Sequence, residues 1–110
     1  MSDGAGRDAG PAGSFESIDP KLNVFALANG MDLAKDPGQR RLEWFTEGLE
    51  RAIVIEKDGD SAFRVAVVSW RTGSKEITGR APVGEAIPAS ELMALLDPAI
   101  ETANGLGGGG

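Results

Sequence analysis

Two runs of alternating β-branched residues joined by a tight turn constrain this chain more than any other feature. Residues 49–57 (LERAIVIEK) carry Ile53, Val54 and Ile55 in succession. Residues 61–70 (SAFRVAVVSW) set Phe63, Val65 and Val67 on one side and Arg64 and Ala66 on the other. Side chains of this kind at period two fit a pleated, half-buried surface and crowd a helix. Asp58-Gly59-Asp60 between the runs is turn chemistry, so they pair as antiparallel strands. Thr72-Gly73-Ser74 is a second turn, and residues 75–79 (KEITG) read as a short polar edge strand. The expected centre of the fold is a three-stranded antiparallel β-meander.

Helical spacing flanks these strands. Over residues 19–35, Asp19 can cap and Pro20 fits the first helical position, with Val24, Leu27, Ala28 and Met31 as the buried stripe. An extended reading of residues 22–28 competes, because their apolar side chains are nearly continuous. Residues 36–48 open with the same Asp-Pro pair. There Leu42, Phe45 and Leu49 at i, i+3 and i+7 favour a helix over a strand at 42–46 turned by Glu47-Gly48. Residues 80–88 contain two prolines and a glycine and read as a loop. In residues 89–104, Leu92, Leu95, Leu96, Ala99, Ile100 and Ala103 form an amphipathic stripe, with Ser90 as cap and Asn104-Gly105 as stop. Pro98 either kinks this helix or restarts a second short one. The fold class expected is α+β: the meander packed with N-terminal and C-terminal helices, between disordered Gly-rich tails.

The 16 glycines gather at the ends of the 110 residues. Residues 1–18 are expected to be a disordered tail, 19–104 a single α+β domain and 105–110 a flexible tail. The first segment lacks the apolar stretch of a signal peptide, which sets a cytoplasmic location as the expectation. The ending from Gly105 through Leu106 to Gly110 resembles the Gly-Gly terminus of ubiquitin-like carrier proteins. With the acidic, leucine-bearing segment before it, it also resembles bacteriocin leader peptides. The first resemblance implies a tail used by a partner enzyme, the second a core peptide beyond the glycines. A flexible spacer accounts for the same residues.

Cysteine, histidine and tyrosine are absent. Disulfides, Cys/His zinc sites, thiol nucleophiles and imidazole acid–base catalysis are thereby excluded. Asp58 and Asp60 alternate as in a calcium loop, but the twelfth position from Asp58 is Ser69 rather than a carboxylate. Thr72-Gly73-Ser74-Lys75 lacks the glycine-rich run and following helix of a phosphate loop. Glu43, Glu47 and Glu50 beside Arg40, Arg41 and Arg51 read as a solvated face. No catalytic residue, metal site or cofactor is expected, and the chain reads as non-enzymatic. The net charge is −6, and Arg40-Arg41 is the only adjacent basic pair, so neither nucleic acid nor membrane is an expected partner.

A single layer of helices covers one face of a sheet. Ala52, Val54, Ala66, Val68 and Trp70 then share the other, small and apolar where polar side chains are the rule. Trp70 beside Arg71 at a sheet margin suits a contact residue. The candidate binding residues are Trp70, Arg71, Val54, Val68 and Arg64. The expected function is a protein-binding module (a small acidic adaptor, chaperone or regulatory subunit) that meets a protein partner or forms a homodimer through this face. The alternatives are a carrier used through its glycine tail, or a small carboxylate-based enzyme or ligand-binding domain. In a competing architecture the N-terminal helices cross to the second face and close a three-layer monomer.

Overall fold

The computed structural model describes residues 14–46, 48–74 and 76–106. Helix α1 (Phe15–Asn29) is followed by strands β1 (Asp32–Asp36), β2 (Gln39–Thr46), β3 (Leu49–Lys57), β4 (Ala62–Arg71) and β5 (Ile77–Pro88). The chain then forms α2 (Ala89–Leu92), a 3-10 turn (Met93–Leu95) and α3 (Leu96–Asn104). The strands make one antiparallel sheet in the order β1-β2-β3-β4-β5. The α+β class stands, but the meander has five strands, not three.

The two extra strands come from 32–46, where a helix was expected over 36–48. Asp36-Pro37 does not start a helix. Pro37 and Gly38 form the two-residue link of a hairpin in which Asp36 pairs Gln39 and Asp32 pairs Glu43. Gly38 has φ 84, a conformation glycine adopts without the steric cost of a Cβ. In β2, Leu42 is buried and Trp44 packs against the core, while Arg41, Glu43 and Phe45 point the other way. This is a period of two that the i, i+3, i+7 coincidence masked.

β5 is also longer than the edge strand read at 75–79, and it takes in the expected loop. It absorbs its prolines and Gly84 by slipping register against β4 between Ser69 and Trp70, Val65 and Ala66, and Phe63 and Val65. An edge strand accepts such residues, and bulges there deter pairing with another chain. Ala86 lies in the last irregularity with φ 53. Its N–H donates to Asp58 Oδ2 at 2.7 Å, so the turn after β3 holds a strained residue of β5 in place.

Helix α1 starts at Phe15, five residues before the expected first helical position, Pro20. Ser14 is the cap: its Oγ accepts from the Ser17 N–H at 3.3 Å, and Pro20 sits inside the helix. The buried stripe is Ile18, Leu22 and Ala26. Val24 and Leu27 of the stripe read from the sequence face outward instead, 68% and 83% exposed, while Met31 lies beyond the helix and packs against the core. Gly30, with φ 67, ends the helix. At the other end, the stretch 89–104 does not kink at Pro98 but restarts as a second short helix: a 3-10 turn separates α2 from α3, which begins two residues before Pro98. Pro88, not Ser90, precedes the first helical residue.

Among the described residues all the helices lie on one face of the sheet. Ile18 and Leu22 from α1 and Leu92, Leu96, Ala99 and Ala103 from the C-terminal segment share one core with Leu42, Ile53, Ile55, Phe63, Val65 and Val67. The molecule therefore has two layers, and the three-layer alternative does not occur among the described residues. Two arginines fasten the layers. Arg40 Nε and Nη2 reach Asp19 Oδ1 and Oδ2 at 2.8 and 3.2 Å, and the guanidinium stacks 4.4 Å from the Phe15 ring centroid. Arg51, only 7% exposed, donates from Nε to the Ala103 carbonyl at 2.9 Å, placing a cation at the negative end of α3. Residues 15–18 thus belong to α1 rather than to a tail, and Leu106 packs against the core. Residues 1–13 and 107–110, where the rest of the expected tails fall, lie outside the described residues. Among the described residues no helix is long and apolar enough to cross a membrane.

Candidate functional site

With every helix of the described residues on one side, those residues leave the other face of the sheet uncovered. The strand register fixes which side chains share it and in what rows. One cross-strand row is Phe45, Glu50, Trp70 and Ile77, and the next is Asp32, Glu43, Ala52, Val68 and Arg80. A third is Ala34, Arg41, Val54, Ala66 and Pro82, and the fourth is Asp36, Gln39, Glu56 and Arg64. The middle rows supply small side chains at the centre and the outer rows supply large ones. The result is a depression with a cavity of about 440 Å³, floored by Val54, Ala66 and Val68 and walled by Arg41, Glu43, Glu56, Trp70, Ile77 and Arg80. A smaller one of about 260 Å³ adjoins it, sharing Glu56, Ala66 and Arg80 and extending to Pro82 and Glu85.

The rim is charged and partly self-paired. Arg41 contacts Asp36 Oδ2 at 3.2 Å and Glu43 Oε2 at 3.0 Å, though its Nε is not aligned for a hydrogen bond. Arg64 Nη2 lies 3.2 Å from Glu56 Oε1. Pairs this exposed contribute about 0–1 kcal/mol to stability and are free to exchange partners at little cost. Asp32 and Arg80, at opposite edges of the sheet, form no ion pair among the described residues. Among those residues no three Asp or Glu side chains cluster to hold a metal ion.

Four of the five residues singled out from the sequence stand on this face. Trp70 is half-buried, Val54 likewise, and Arg64 is exposed on the rim. Val68 is 8% exposed and its neighbour Ala52 fully buried, because both are small and stand among larger side chains. Arg71 does not join them. It follows Trp70 on the opposite side of β4, paired with Leu49, and is exposed there. Sequence reasoning missed Phe45, 58% exposed, and Ile77, 50% exposed, which extend the Trp70 row in both directions. The signal for Phe45 is its outward parity between Trp44 and Thr46, visible once residues 41–46 are read as a strand. Arg80 was hidden in the supposed loop.

A second apolar surface lies between α1 and the 3-10 turn, where Pro20, Val24, Phe25 and Ala28 with Met93 border a shallow, almost wholly apolar hollow. Its only charged neighbour is Lys21. It lacks the mixed rim of the sheet face.

No family model matches the chain, and no solved structure does. A stretch of 68 residues, 62% of the chain, is 30% identical to a glutamate–tRNA ligase of Bradyrhizobium sp. (strain ORS 278). A 68-residue stretch is 29% identical to the glutamate–tRNA ligase of Bradyrhizobium diazoefficiens. In each case the match spans 14% of the ligase, so the chain covers about one seventh of the length of these relatives.

Proposed function

We propose that this chain is a non-enzymatic protein-binding module of the adaptor, chaperone or regulatory-subunit kind, and that its working surface is the uncovered face of the sheet. One observation carries the reading. Among the described residues every helix packs on the same side, and the five-stranded sheet keeps an open face with an apolar floor and with Phe45, Trp70 and Ile77 in one row at its end. Apolar surface of this kind with a charged rim has the composition of an interface: an aromatic and aliphatic centre, with arginines and carboxylates at the margin. A match to 14% of a ligase supports a shared segment and not the ligase reaction. The carrier alternative gains nothing from the sheet, whose five strands run without an intervening helix.

Ala66→Arg tests the reading. Ala66 is half-buried in the floor, with its side chain directed away from the helices. An arginine there fills the depression with a long cation while the core on the other face is untouched. Bound protein, whether another copy or a different chain, should be lost from the immobilised variant and kept by Leu27→Glu on the outside of α1. Capture that survives Ala66→Arg and fails with Leu27→Glu would move the working surface to α1.

A further inference from the structure

We infer that the occupant of the open face is a basic segment of a different protein, one lysine or arginine of which sits over Glu50 between Phe45 and Trp70. The inference rests on the reading of this face as a binding surface and adds the chemistry of the partner. Phe45, Glu50 and Trp70 stand side by side on β2, β3 and β4. A carboxylate is thus flanked by an aromatic side chain on either hand. Glu50 is half-buried and forms no ion pair and no side-chain hydrogen bond among the described residues. Neighbouring strands are about 4.8 Å apart, so the two aromatic side chains rise from backbones about 10 Å apart. A cation midway between them, above the carboxylate, is about 5 Å to the side of each. An aromatic ring attracts a cation over about 6 Å. Lysine and arginine supply the cation on an apolar stem that the two aromatic side chains can cover.

The charge of the whole face points the same way. Six carboxylates and three guanidinium groups stand on it, a net charge of −3. Arg41 is engaged by Asp36 and Glu43, and Arg64 by Glu56. Asp32, Glu50 and Glu85 are left without an ion pair among the described residues, against Arg80 alone. Arg80 stands two strands and one row from Glu50, roughly 12 Å between backbones, which exceeds the screening length of about 8 Å at physiological salt. It therefore does not neutralise the carboxylate. A second copy would bring the same net negative charge against this face, so like charge opposes it, as it opposes a nucleic acid. The hollow beside the row takes the apolar part of the segment. Its floor of Val54, Ala66 and Val68 lies next to Trp70 and admits a large apolar side chain.

The test is a selection from a displayed library of random short peptides on the immobilised full chain, with sedimentation equilibrium of the chain alone. The recovered peptides should carry net positive charge and at least one large apolar residue, and the chain should sediment as a monomer. Binding of the most frequent peptide should weaken as salt is raised. Glu50→Gln keeps the shape of the side chain and removes its charge, on the face away from the core. It should weaken that peptide at least about tenfold, the size of a close charge pair broken, with circular dichroism as the check on folding. Acidic or uncharged peptides that are lost with Ala66→Arg would overturn the basic partner and leave the binding reading standing. So would basic peptides indifferent to Glu50→Gln, or a dimer dissociated by Ala66→Arg, which makes a second copy the occupant. A library that yields no peptide above background overturns the proposal. Peptides kept by Ala66→Arg and lost with Leu27→Glu refute both.

Discussion

Leu96→Ala should lower the stability of the fold by about 2–5 kcal/mol, the range for a fully buried leucine, and by the upper half of it. Leu96 has no exposed surface and opens α3 at the point where the 3-10 turn hands over to it. Leu92 and Ala99, four residues before and three after it, are equally buried, so the three side chains form one stripe against the sheet. Alanine would leave a cavity between a helix and a pleated surface. The helix cannot settle into that cavity, because Arg51 ties its far end to β3 through the Ala103 carbonyl. Urea unfolding should show a lower midpoint with an unchanged slope. A loss under about 0.5 kcal/mol would mean that α3 does not pack on this sheet.

Trp70→Glu should leave the fold intact and weaken association at least about 30-fold, the loss expected when a contact residue worth about 2 kcal/mol is removed. Trp70 is half-buried at the last position but one of β4, with Ile77 and Glu50 beside it in the row. Its indole is the largest aromatic side chain on the open face. A glutamate there removes that surface and places a second carboxylate next to Glu50. Binding isotherms by fluorescence remain readable, because Trp44, on the core side, supplies the signal. Unchanged association in a folded Trp70→Glu variant would take the largest anchor away from the sheet face.

The parts of this fold that the sequence makes legible are those where one physical signal acts alone. Residues 49–57 and 61–70 alternate without competition, and the sheet holds strands there at 49–57 and 62–71. Elsewhere two signals overlap. Asp36-Pro37 is as good a helix start as it is a turn, and only Gly38, with its positive φ, tells the two apart. Residues 80–88 carry the prolines of a loop, yet an edge strand with register slips uses them without losing pairing on its inner side. Helix α1 carries two apolar stripes, and periodicity does not say which one meets the sheet. That choice falls to Arg40, whose contacts with Asp19 and Phe15 turn Ile18 and Leu22 inward. The candidate site follows the same division. Val54, Val68, Arg64 and Trp70 were legible from strand parity. Phe45, Ile77 and Arg80 lay in stretches misread as helix, short edge strand and loop. Arg71 was named for its nearness in sequence to Trp70, which in a strand puts it on the opposite face.

The most direct test of the sheet face as the contact surface is a titration of the full chain with the most frequent of the selected peptides, followed by side-chain NMR. Methyl resonances of Val54, Ala66, Val68 and Ile77 and the indole of Trp70 should shift together as peptide is added. Those of Val24 and Leu27 on the outside of α1 should stay fixed. Shifts confined to Val24, Leu27 and Met93, with the sheet face silent, would contradict the account.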